Sequence, residues 1–218
     1  LRGLPYAWYN LLSTSHLVLN VLTVPASFVL NKLIVHGSYM AKARIVQRLA
    51  DGGLLNVSFD AAALNDHMQA SRGALVTATC GDKRLVIERN KGAITCSGAK
   101  VRLMGSTLTL VGSEWFVSIT GAPVYNRLSG PHHRVDVKLQ PLLAEELLDS
   151  KPHGLVGQSF DGSHVPRFGR LDQYPPLEQY SEFTTYAMAE GAIEGTISDY
   201  QLSSDHETEY KFSRFRAA

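Results

Sequence analysis

The chain has 218 residues, 44% of them hydrophobic and 19% charged, with a formal net charge of +1. That length suffices for one large β domain with its own core, and the composition excludes a disordered chain. Basic residues are scattered, the densest group being Lys211, Arg214 and Arg216, so the continuous cationic stripe that a nucleic-acid partner needs is missing.

Residue 1 is leucine, not methionine, as expected of a processed or excised part of a larger protein. Residues 17–35 are apolar but interrupted by Asn20, Pro25, Ser27, Asn31 and Lys32, which suits strands and not a transmembrane segment. From Tyr6 onward, short β-type runs alternate with turn signals at 16–24, 27–30, 32–35, 39–49, 54–59, 74–79, 84–89, 93–95, 100–104, 106–111, 114–120 and 124–128. Alternation is clearest in Thr107-Leu-Thr-Leu110 and Trp115-Phe-Val-Ser-Ile119. Helical capacity is confined to 141–149 and 183–190, and 196–200 and 210–215 read as closing strands. Residues beyond 130 otherwise read as loops without enough pattern to fold alone. The expected fold is therefore all-β: an antiparallel β-sandwich or barrel-like meander of many short strands with one or two short helices, in a single domain over 1–218.

Cys80 and Cys96 lie at opposite ends of a predicted hairpin containing the Asn90-Lys-Gly92 turn, so they are expected to form a disulfide. Closing that loop contributes about 3 kcal/mol in the chain-entropy model, in an oxidising compartment; two reduced buried thiols are the alternative. Asn56-Val-Ser58 is the only N-x-S/T sequon, making Asn56 the candidate glycosylation site of a secreted chain.

The segment Lys151-Pro-His-Gly-Leu-Val-Gly-Gln-Ser-Phe-Asp-Gly162 concentrates glycines with buriable Leu155, Val156 and Phe160. It reads as a fixed turn between strands, with Gly154, Gly157, Gln158 and Gly162 as its structural positions. Asp161, with Asp172, Ser163 and loop carbonyls as further oxygens, is the candidate calcium ligand. His132, His133, His153 and His164 lie on turn-rich segments, but lack the helical spacing of a transition-metal motif. A hydrolase site drawn from His133, His153, Gln158, Ser159 and Asp161 is the enzymatic alternative, although Asp161 stands where G-x-S-x-G requires glycine. The carboxylates Glu145/Glu146, Glu190/Glu194 and Asp205/Glu207/Glu209 read as solvated faces. Trp8, Trp115 and the tyrosines offer rings for a carbohydrate-binding module, or simply core.

Gly154-Leu-Val-Gly-Gln-Ser-Phe-Asp-Gly162 resembles the Gly-Leu-x-Gly-x-x-Asn-Gly signature that closes the β core of von Willebrand factor type D domains. Together with Gly130-Pro-His-His-Arg134 and Ala187-Met-Ala-Glu-Gly-Ala-Ile-Glu-Gly195, it is more closely similar to the D-like modules of root-cap and late-embryogenesis-related plant proteins and of protist secreted proteins. The resemblance implies a non-catalytic extracellular or cell-surface module in adhesion or assembly, with a protein or glycan partner or self-association, and with calcium at Asp161. Val156 stands where type D domains carry a cysteine, and the chain has 2 cysteines in all, so disulfide-linked polymerisation of that kind is not expected.

Overall fold

The computed structural model describes residues 4–30, 32–65, 75–144, 148, 151–160 and 197–215. Two antiparallel sheets face each other across one core. The larger contains β1 (Trp8–Ser13), β2 (Leu17–Leu30), β3 (Leu33–Arg48), β4 (Leu54–Asp60), β5 (Val76–Cys80) and β6 (Lys83–Leu85) in sequential order. The smaller runs from β7 (Ile94–Cys96) through β8 (Ala99–Met104), β9 (Thr107–Val111) and β10 (Trp115–Pro123). β11 (Arg127–Ser129) returns to pair with β2, β12 (His133–Pro141) pairs with β10, and β13 (Gln201–Leu202) closes beside β1.

Period-two alternation fixes which face meets the core. β8 buries Ala99, Val101 and Leu103 and exposes Lys100, Arg102 and Met104, and β10 buries Trp115, Val117 and Ile119. On the larger sheet the inner rows run Val21–Ala43–Phe59–Val76, Leu19–Ile45–Val57–Ala78 and Leu17–Gln47–Leu55–Cys80. The outer rows include Asn20–Arg44–Ser58–Thr77 and Val18–Val46–Asn56–Thr79.

The all-β sandwich is the expected class, while several local expectations are corrected. Pro25 does not break β2, which continues for 14 residues. Thr23 N–H donates to Ala7 O on the β1 side, so the nitrogen of Pro25 two residues on faces the gap between β1 and β11, where no ladder bond is lost. Residues 86–88 leave the ladder after β6, shortening the strand expected over 84–89. β1 and β12 are strands where no strand was expected, and β12 follows an alternation of its own, with Val135 buried between exposed or half-buried neighbours. Ile197–Tyr200 is a 3-10 turn, not a strand, and 203–215 runs through turns instead of a closing strand. Pro141 ends β12 and Leu142–Leu143 is a bend, so the described part of the expected 141–149 helix is not helical; residues 183–190 lie outside the described residues. Among the described residues no helix is long and apolar enough to cross a membrane.

Candidate functional site

The glycine-rich segment lies along the edge of β1. Register slips between Asn10 and Leu12, and the bulge leaves main-chain carbonyls on that edge without a strand partner. Leu155 N–H donates to Asn10 O (3.1 Å), Val156 N–H to Leu11 O (2.9 Å), and His153 exchanges two backbone bonds with Ser13. β13 covers the other half of the same edge, through Trp8 and Tyr9. Gly154 has φ +100°, and a Cβ there would lie 2.5 Å from Asn10 Oδ1 and 2.6 Å from Leu11 O. Gly157 is nearly as close, its Cβ position 2.9 Å from Leu12 Cδ1. Gln158 is buried; its Nε2 donates to Leu155 O and its Oε1 accepts from the Tyr200 hydroxyl. The segment thus covers a sheet edge that would otherwise invite pairing.

The groups proposed for hydrolysis that lie among the described residues each have a hydrogen-bond partner. Ser159 Oγ donates to Val156 O (2.5 Å), and the Arg214 guanidinium donates to His153 Nε2 (2.7 Å). His133 Nδ1 meets Asn65 Oδ1 at 2.8 Å, and His132 Nε2 meets Arg127 at 3.0 Å, so the adjacent histidines have separate partners. Burial, then the neighbouring His132, lowers the pKa of His133. Asp161, Gly162, His164 and Asp172 lie outside the described residues, and among those described no group of three His, Cys, Asp or Glu converges as a metal site. Trp115 belongs to the core, edge-on to Phe160 at 5.1 Å.

The outer face of the larger sheet carries the C-terminal segment. Asn10 Nδ2 donates to Asn20 Oδ1 (2.9 Å) and Leu12 O (3.0 Å), while Asn10 Oδ1 accepts from the Tyr210 hydroxyl (2.7 Å). Asn20 Nδ2 donates to Asp205 O (3.0 Å) and Glu207 O (2.9 Å). Beside this network is a groove of about 540 Å³ lined by Arg44, Arg48, Asn56, His206, Glu209 and Phe215, among others. Asn56 is a mid-strand residue of β4 in that groove; Arg44 donates to its Oδ1 (3.4 Å) and to Ser58 Oγ (2.8 Å), the hydroxyl of the same sequon. A glycan on Asn56 therefore has to share the groove with the C-terminal segment.

Cys80 and Cys96 are disulfide-bonded, but not as the two ends of one hairpin. Cys80 is on β5 of the larger sheet and Cys96 on β7 of the smaller one, so the bond ties the sheets together at the row Leu17–Gln47–Leu55–Cys80.

A second cleft, of about 580 Å³, opens at this end, lined by His16, Gln47, Arg48, Ser97, Gly112 and Ser113, among others. Gln47 follows Ala43 and Ile45 on the inner face and is 5% exposed, yet its Oε1 finds no hydrogen-bond partner among the described residues. Leaving such a group unsatisfied costs about 1–3 kcal/mol. Arg48 Nη2 is also buried without a partner among the described residues, while its guanidinium carbon stands 4.8 Å from the Phe215 ring centroid. Glu114, 8% exposed, has a carboxylate oxygen 3.9 Å from His16 Nδ1. At the rim Ser97 Oγ donates to Asp51, whose pKa is lowered by that bond and by the Gly53 N–H. The expected site residues did not include this cluster. Its signal in the sequence is a glutamine at an inward position of Ala43-Arg-Ile-Val-Gln47, where the β period calls for an apolar residue.

Set against family models, curated proteins and solved structures, the chain matches none.

Proposed function

We propose that the chain is a non-catalytic β module of an extracellular or cell-surface protein, of the type D-like kind that its glycine-rich segment resembles. It would hold a protein or glycan partner, or a second copy of itself. The observation that carries this reading is the Cys80–Cys96 bond between the two sheets, since structural disulfides persist where the compartment is oxidising. The hydrogen bonds of Ser159 and His153 favour a binding role over hydrolysis, because each is committed to a fixed partner, Val156 O and Arg214. Calcium at Asp161 and Asp172 and a glycan on Asn56 belong to the same proposal.

Peptide mapping of native material under non-reducing conditions tests it. A linked peptide pair containing Cys80 and Cys96 is the expected result, and two free thiols would count against an extracellular setting. Sedimentation of the same material reads self-association directly. For calcium, the ion should raise the unfolding temperature of the native chain, and Asp161→Asn should remove the increase; no response to calcium would discard that ligand.

A further inference from the structure

We propose that the cleft at the disulfide end of the sandwich binds an uncharged sugar residue of a glycan, with the Gln47 carboxamide hydrogen-bonding its hydroxyls. The proposal rests on the reading of the chain as a binding module and gives that module a site. Gln47 carries the argument. It occupies an inner-row position between Leu17 and Leu55, where an apolar side chain would pack without penalty. The residue is 5% exposed and lines the cleft, and its Oε1 has no hydrogen-bond partner among the described residues. An amide oxygen held in this way is satisfied when a ligand supplies a donor, as a sugar hydroxyl does.

Gly112 lies directly against this amide. A Cβ on Gly112 would lie 2.5 Å from Gln47 Nε2 and 2.9 Å from Oε1, so only glycine leaves this amide its position. Around it the cleft is lined by Arg48, His16 and Ser113 and by the small residues Gly52, Gly98 and Ala99. Donors and acceptors are thus mixed, which suits hydroxyls that both give and take hydrogen bonds. Charge argues against an anion: Arg48 shares this end with the buried Glu114 carboxylate beside His16 and with Asp51 at the rim. The volume, about 580 Å³, falls in the range of about 300–1,000 Å³ usual for small-ligand sites. Ser97 follows the bonded Cys96, so the disulfide fixes one rim of the cleft.

The test is retention of the intact, oxidised chain on an array of immobilised neutral, sialylated and sulfated oligosaccharides. The expected result is retention by at least one neutral glycan, weakened about tenfold or more in Gln47→Leu through loss of the buried polar contact. Gly112→Ala should weaken it as well, and Asn56→Gln, in the other groove, should not. Gln47→Leu is the decisive variant, because an apolar side chain suits its row and the fold is kept. Retention by sulfated or sialylated glycans alone, retention indifferent to Gln47→Leu, or no retention at all would each overturn the sugar site. A chain that ignores every glycan but keeps its disulfide and self-associates loses this site and retains the module function; free cysteines in native material strike at the module function itself.

Discussion

Asn10 and Asn20 on one side, and Gln47 on the other, are carboxamides buried in the same sheet under opposite conditions. The asparagines, both 0% exposed, lie on the outer face, and each is bonded to the other and to the C-terminal segment. Gln47 lies on the inner face at the open end of the sandwich, and its Oε1 is bonded to none of the described residues. A satisfied buried network fixes the one position in which all its bonds close, so the Asn10–Asn20–Tyr210 set specifies where residues 203–215 dock. An unsatisfied amide oxygen specifies nothing within the chain and costs stability, and the proposed sugar hydroxyl would supply its partner.

The largest effect should come from breaking the satisfied side. Asn10→Leu leaves Asn20 Oδ1 and the Tyr210 hydroxyl without their bonds and should lower unfolding stability by about 3–4 kcal/mol in urea titration. A loss under about 1 kcal/mol would mean that the network does not act as a unit. Replacing Cys80 and Cys96 together by alanine should cost about 3 kcal/mol, and amide exchange should speed up around Ser97 and Gly112 more than around Asn10. Equal acceleration at both ends would dissolve the distinction between them.

Gln47→Leu should act in the opposite direction, raising stability by about 1 kcal/mol as an unpaired amide is replaced by an apolar group. The smallest effect, away from both regions, is the pH response of His133. Its folded pKa lies below the ordinary value, so its contribution is present above about pH 6.5 and fades as the pH falls through the folded value. Solvent screening holds this to under about 1 kcal/mol. His133→Gln should flatten the stability profile between about pH 7 and 5, and an unchanged profile would assign the titration elsewhere.

Where side-chain alternation and turns were strong, the fold was legible, as in β8 through β10. The limits are equally physical. Pro25 looked like a strand end because a proline usually removes a ladder bond, and only the gap between β1 and β11 shows why it removes none here. β12 reads as loop in the sequence because its alternating Arg134, Asp136 and Lys138 dilute a half-buried strand whose apolar face is only three residues long. The cysteine pairing was legible from spacing, but the sheets that it joins were not, since sequence separation does not say which sheet a strand enters. The glycines of 154–157 read as turn positions in the sequence, while the β1 bulge beside them depends on a register slip invisible there. In the sequence Gln47 is one more polar residue in a strand; its inward orientation follows only from the pairing with Leu17 and Leu55.

The difference between the two kinds of amide can be read in one experiment. Side-chain amide NMR signals of Gln47, Asn10 and Asn20 should be followed while the neutral glycan retained by the chain is added. The account predicts that the Gln47 signals move as its carboxamide gains partners, while those of Asn10 and Asn20, already bonded, stay in place. A Gln47 signal that does not respond to saturating glycan, or a response confined to the asparagines, would contradict it.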